Sequence, residues 1–116
     1  MRILVLGGTG FIGRHAAAAL RAQGHTVVIG TRHPKRALAK LPPALRDCEL
    51  RELHLESLST RYVWKPLLED IDVVLNCSGL PRERGSETWN RVLSMAPAAL
   101  AETCRLLSIQ IGRAHV

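Results

Sequence analysis

Aromatic side chains are scarce in this 116-residue chain: two Trp, one Tyr and one Phe, or 3%. Single-stranded nucleic acids are gripped by stacking on such rings, and no helix-turn-helix or zinc-finger pattern occurs either. Nucleic acid is therefore set aside as a partner, although sixteen Lys/Arg against ten Asp/Glu give a formal charge of +6. No apolar run approaches the length that crosses a bilayer. The opening apolar run breaks into glycines too early for a signal peptide, so no membrane partner is expected. Cys48, Cys77 and Cys104 are odd in number, far apart and without a C-x-x-C pair, which suits reduced thiols in the cytoplasm. The five histidines show no H-x-x-x-H or His/Cys pairing, so no metal site is expected. One more absence matters later: no Asp or Glu lies between Met1 and Leu45.

What is present is concentrated in Met1 to Arg32. Ile3 to Leu6 is a branched apolar run without alternation, as in a parallel strand buried on both faces. Behind it stand Gly7-Gly8-Thr9-Gly10-Phe11-Ile12-Gly13, with glycines spaced G-x-x-G-x-x-G. Gly7 permits a sharp turn, Gly10 lets backbone approach a pyrophosphate, and Gly13 lets a helix sit close to the strand. An alanine-rich helix is predicted from His15 to Gln23, closed by Gly24, and a second strand from Thr26 to Ile29. A glycine triplet alone is also met in ordinary βα turns. With strand, helix and second strand in register around it, the stretch predicts a dinucleotide site whose phosphates meet the helix N-terminus.

A dinucleotide site selective for NAD(H) carries an acidic residue about twenty positions beyond the glycines, on the ribose 2′-hydroxyl. Here Thr31-Arg32 occupies that place, followed by Lys35 and Arg36. A guanidinium binds a 2′-phosphate bidentately where a carboxylate would repel it, so NADP(H) is preferred over NAD(H). The alternative for these residues is a solvated basic helix start, with Pro34 in the first turn of a helix running to about Leu41. Further predicted elements are a strand at Glu49 to Leu55, a helix at Thr60 to Glu69 and a strand within Asp72 to Gly79. Leu80 to Gly85 reads as a polar loop. Its Arg82 and Arg84 are either solvated or turned toward a substrate or cofactor phosphate. Glu87 to Leu107 is a long helical pattern with Trp89, Val92, Leu93, Ala96, Leu100, Cys104 and Leu107 at helical spacing and Pro97 breaking it midway.

The glycine motif, Arg32 and Asp72-Val73-Val74-Leu75-Asn76-Cys77-Ser78-Gly79 together resemble the short-chain dehydrogenase/reductase superfamily. The likeness is to its extended or atypical branch, which includes NAD-dependent epimerase/dehydratase-like and NmrA-like proteins, and it runs to about residue 107. It implies an α/β fold, a three-layer Rossmann-type parallel sheet in the order 3-2-1-4, as one partial NAD(P)-binding domain over residues 1–116. It also implies a set of cofactor contacts. Gly7, Thr9, Gly10, Phe11, Ile12 and Gly13 would hold the pyrophosphate, and Thr31, Arg32 and Arg36 the 2′-phosphate. His54 and Leu55 would lie at the adenine, where relatives often carry Asp in place of His54. Cys77, Ser78 and Gly79 would flank the nicotinamide ribose, with Ser78 standing where Ala is usual. The Asn that relatives often carry near Leu93 is missing.

The resemblance stops at about Ser108. Relatives continue to a catalytic Ser and a Tyr-x-x-x-Lys pair, the Tyr serving as general acid/base. Tyr62 is the single tyrosine here, and Pro66 stands four residues on. No catalytic residue is assigned, and the chain is expected to be the N-terminal half of a larger protein. It reads as the NADP(H)-binding part of an oxidoreductase or epimerase-like protein. The alternatives are a non-catalytic NADP(H) sensor or structural subunit of the NmrA-like type, or a small domain with no ligand. Ser108 to Ile111 starts a fifth strand that Gly112 to Val116 is expected to end. Strand four would then be an exposed apolar edge through which copies self-associate.

Overall fold

The unbroken apolar run near the N-terminus forms the central strand. The computed structural model describes residues 1–79 and 83–113. In it, Ile3, Leu4, Val5 and Leu6 of β1 (Arg2–Leu6) are all buried. Alternate residues face opposite ways. Ile3 and Val5 pack with Ala17, Val27 and Ile29, whereas Leu4 and Leu6 pack with Trp64, Leu68, Val74 and Leu100. A strand covered on both faces has no polar side to present, which explains the lack of alternation.

The remaining elements are α1 (Phe11–Ala22), β2 (Thr26–Thr31), α2 (Pro34–Lys40), β3 (Glu49–Glu52), α3 (Arg61–Leu68), β4 (Val73–Asn76), α4 (Ala96–Leu106) and β5 (Gln110–Arg113). The sheet order is β3-β2-β1-β4-β5 and every neighbouring pair is parallel. The expected order 3-2-1-4 is therefore present with one strand more. The chain winds outward from β1 to β3, then returns to lay β4 on the other side of β1. Where the two directions part, the carboxyl ends of β1 and β4 leave a crevice.

Several boundaries differ from the sequence reading, and β2 runs on to Thr31. Helix α1 begins at Phe11 rather than His15, so the last residues of the glycine motif are its first turn. Strand β3 stops at Glu52, although the Leu53 N–H still donates to the Thr31 carbonyl at 3.0 Å. The long helical pattern holds a π-turn at Arg91–Met95 directly ahead of α4. Pro97 lacks an N–H and its ring crowds the carbonyl one turn back, and the wider turn gives that carbonyl room. Val92, Ala96, Leu100 and Cys104 are buried as one face, whereas Trp89 and Leu93 are exposed.

Strand four is not an edge, which corrects the expectation of an exposed apolar strand there. Helix α4 ends in a left-handed turn at Ser108, φ +57°. The Ser108 N–H donates to the Arg105 carbonyl and the Ile109 N–H to the Cys104 carbonyl, at 3.4 and 2.8 Å. Helix α1 closes with the same pair of bonds around Gly24, φ +92°. The turn at Ser108 brings the chain back to the sheet. There β5 pairs with β4 from Val73 opposite Gln110 to Asn76 opposite Arg113. Self-association through β4 loses its basis, because the backbone groups it invoked are already paired.

At the amino end of the strands, charges are matched. The Arg51 guanidinium donates to Glu49 and Asp70, and Arg2 donates to the same two carboxylates. Hydrogen bonds from Arg51 hold both Asp70 and Glu49 below the usual carboxylate range.

The left-handed cap yields a direct test. Serine in that conformation costs about 1–2 kcal/mol, partly offset by the greater freedom glycine brings to the unfolded chain. Ser108→Gly is expected to stabilise the fold by about 0.5–1 kcal/mol and raise the melting midpoint by a few degrees. Gly24→Ser is expected to lower it. Calorimetric or circular-dichroism melts of the two variants check both signs, and a destabilised Ser108→Gly would refute the cap geometry.

Candidate functional site

Between β1 and α1 the backbone is packed too closely for side chains. Gly7 has φ +71°, and a Cβ added there would lie 2.8 Å from the Cys77 carbonyl oxygen, on the neighbouring strand's end. A Cβ on Gly13 would lie 2.0 Å from the Gly7 carbonyl oxygen, so the first turn of α1 rests directly on the glycine turn. Gly8, to which the sequence reading gave no role, is held as tightly: its Cβ would meet the Ile29 side chain at 2.7 Å. Gly10 differs. A Cβ there would come no nearer than 3.4 Å to protein atoms, and its backbone (φ −75°, ψ 173°) suits any residue. Gly10 is thus not required by packing, and it lines a cleft.

The Gly10 N–H closes the turn on the Gly7 carbonyl at 3.0 Å, and the first bond of α1 runs from the Arg14 N–H to the Gly10 carbonyl, also 3.0 Å. The N–H groups of Phe11, Ile12 and Gly13 thus precede any intrahelical partner. No side chain caps this end and no acidic residue stands in the first turn. Outward amides at the positive end of a twelve-residue helix, above a turn stripped of side chains, fit a diphosphate.

This turn forms one wall of a cleft of about 380 Å³ at the carboxyl ends of the strands. Gly7, Thr9 and Gly10 line that wall, Thr31, Arg32 and Arg36 line the end beyond β2, and Cys77, Ser78 and Gly79 line the wall beyond β4. Leu55 also lines it. Phe11, Ile12, Gly13 and His54 do not contribute to the lining. Phe11 is 71% exposed and stacks at a tilt against His15, with ring centroids 4.6 Å apart. His54 is turned to Glu52 and Glu56, with ring nitrogens 3.1 and 3.6 Å from their carboxylates. Arg82 lies outside the described residues, and Arg84 is exposed.

Behind β4, the buried Asn76 fixes the chain's next turn. Its Oδ1 accepts the Ser78 N–H at 3.1 Å and the Ser78 hydroxyl. Cys77 is half-buried, and burial pushes its thiol above the ordinary range. Tyr62 is on the outer surface of α3, 73% exposed, its hydroxyl accepting from Arg61 at 3.2 Å. It is not a cleft residue.

The sequence reading missed two carboxylates. Glu56, in the turn after β3, and Glu87, just ahead of the helix leading to α4, both line the cleft and are 10% and 13% exposed. Arg32 donates to Glu87 through Nη1 and lies 3.7 Å from Glu56 through Nη2. Arg32 stands 24 residues before Glu56 and 55 before Glu87, spacings that carry no local signal that these groups meet. Among the described residues, no cluster of three His, Cys, Asp or Glu is set to hold a metal ion, and no helix is long and apolar enough to cross a membrane.

No curated protein matches the chain in sequence. Solved structures do match in fold. A protein from Lactobacillus casei superposes with a TM-score of 0.74 at 23% identity, covering 97% of this chain and 47% of its own. The oxidoreductase ylbE from Lactococcus lactis gives 0.72 at 17% identity, with 97% and 47% covered. UDP-N-acetylglucosamine 4-epimerase from Bacillus cereus gives 0.69 at 24% identity, with 97% and 36% covered. The chain thus spans less than half the length of each. A family model also matches residues 3–112, nearly the whole chain from the first strand through the last. With the glycine turn, the parallel sheet and the crevice at its switch point in agreement with that match, the chain belongs to the NAD-dependent epimerase/dehydratase family.

Proposed function

We infer that the chain is the NADP(H)-binding domain of an oxidoreductase or epimerase-like protein. Membership of the family implies a nicotinamide dinucleotide. The observation that carries the finer reading is the layout of the cleft. The uncapped N-terminus of α1 directly follows the lining residues Thr9 and Gly10, and Arg32 and Arg36 line the end where an adenosine 2′-phosphate would lie. Within that reading the amides of Phe11, Ile12 and Gly13 hold the pyrophosphate, and Thr9 and Gly10 form its floor. Arg32 and Arg36 hold the 2′-phosphate, with Thr31 beside them. Leu55 lies against the adenine, and Cys77, Ser78 and Gly79 flank the ribose on the nicotinamide side.

The bound nicotinamide would supply hydride acceptance or donation. The chain's own residues bind and orient: the Asn76–Ser78 turn fixes the wall, and the raised Cys77 thiol stays neutral and apolar beside it. Acid/base work is assigned to no residue, since Tyr62 lies outside the cleft. A sensor or structural role of the NmrA-like type would use the same binding site, and turnover separates it from the enzyme. The three free thiols support a reducing, cytoplasmic setting.

Two measurements test this. Titration with NADPH and NADH is expected to show NADPH binding more tightly, and Arg32→Ala to weaken NADPH about tenfold while changing NADH little. Unchanged NADPH affinity in Arg32→Ala would remove the 2′-phosphate assignment. The glycines give the second test. Gly13→Ala, whose methyl would overlap the Gly7 carbonyl, is expected to cost about 3 kcal/mol or more in chemical denaturation. Gly10→Ala is expected to keep wild-type stability yet bind both dinucleotides at least about tenfold more weakly, because a methyl on this lining residue would stand where the pyrophosphate approaches the backbone. Undiminished binding by a folded Gly10→Ala would contradict the pyrophosphate seat.

A further inference from the structure

Arg32 is not an open cation. Its Nη1 donates to Glu87, its Nη2 lies 3.7 Å from Glu56, and its Nε has no partner. One Glu56 oxygen, on a side chain 10% exposed, is likewise buried without a hydrogen bond. Glu87 is held in place by its own backbone. The Arg84 N–H donates to the Glu87 carbonyl at 3.1 Å and the Glu87 N–H to the Arg84 carbonyl at 2.8 Å, around Gly85 at φ +55°. The short turn therefore presents a carboxylate to the guanidinium across the mouth of the cleft.

We propose that Glu87 sets the cofactor selectivity of this cleft, by occupying the edge of Arg32 that a 2′-phosphate needs. This rests on the reading of Arg32 as the 2′-phosphate contact. A guanidinium offers a limited fork of donors, and a carboxylate and a phosphate ester compete for the same geometry. A dianionic phosphate must displace Glu87 and then sit beside it and Glu56, so part of the attraction is spent on an exchange of anions. A dinucleotide with a free 2′-hydroxyl needs no exchange, and its hydroxyl can donate to a carboxylate left in place. Glu87 thus lowers the preference for NADP(H) below what Arg32 alone would confer. It acts through Arg32 and is a positioning residue.

The test is calorimetric titration of wild type, Glu87→Gln, Arg32→Ala and the double variant with NADPH and NADH, repeated with adenosine 2′,5′-bisphosphate and 5′-AMP to isolate the 2′-phosphate. Glu87→Gln is expected to tighten NADPH and the bisphosphate about tenfold, to leave NADH and 5′-AMP unchanged or weaker, and to have no such effect once Arg32 is Ala. Equal weakening of all four ligands by Glu87→Gln would assign Glu87 a purely structural part and overturn the proposal. So would an unchanged ratio of NADPH to NADH. If instead Arg32→Ala alone leaves NADPH binding intact, the Arg32 reading itself is what has failed.

Discussion

The contact on which the structure turns is that of Gly13 with the Gly7 carbonyl, where a methyl group would lie at 2.0 Å. It brings α1 down onto the end of β1 so that its first turn begins inside the glycine motif. Had Gly13 carried a side chain, the helix would have to stand off. The N-terminus of α1 would then lie farther from the glycine turn that lines the cleft. Gly7 makes the matching approach on the other side, its Cα hard against the Cys77 carbonyl. Two missing methyl groups thereby join β1, α1 and the end of β4 into one rigid mouth. Preorganisation of this kind leaves a bound anion with donors already aimed and little order still to impose.

The sheet around this contact explains why the mouth lies where it does. Ile3, Leu4, Val5 and Leu6 are buried from both faces, so no ligand reaches the central strand through either face. At the amino end of the strands Arg2, Arg51, Glu49 and Asp70 stand in mutual ion pairs. The cleft lies at the carboxyl end, where the winding reverses between β1 and β4.

Much of this was legible in the sequence because it is encoded locally. The non-alternating run, the glycine spacing and the β-branched Thr26 to Ile29 sit within thirty residues, and their order restricts the packing to one arrangement. Thr31 and Arg32 followed from the spacing beyond the glycines, whereas the order 3-2-1-4 and the residues Cys77 and Ser78 came with the family resemblance. What was legible only in part was encoded otherwise. The sequence starts the fifth strand at Ser108 and ends it at Gly112, but β5 runs through Gly112 to Arg113, and the turn feeding it uses Ser108 in a conformation ordinarily signalled by glycine. Trp89 and Leu93 match a helical stripe by spacing, but the π-turn before Pro97 sets a different face inward. The meeting of Arg32 with Glu56 and Glu87 is tertiary throughout, since no period links residues 24 and 55 positions apart.

The two ends of the sheet show how polar groups separate structural from functional charge. At the amino end Arg51 has carboxylates on both sides and a main-chain carbonyl, that of Leu67, as well. Nothing there lacks a partner, and the network needs no ligand to be complete. At the carboxyl end the buried side-chain atoms without partners, among the described residues, are Arg32 Nε and Glu56 Oε2, and both belong to side chains lining the cleft. Burying such atoms is costly unless water or a ligand satisfies them. Their location in one cleft marks that region of the molecule as incomplete by itself. A guanidinium with one edge taken and another vacant, next to a carboxylate with an unused oxygen, can accept either a phosphate or a hydroxyl. Which of them wins is set by the difference between two anions competing for Arg32, not by the presence of Arg32 alone.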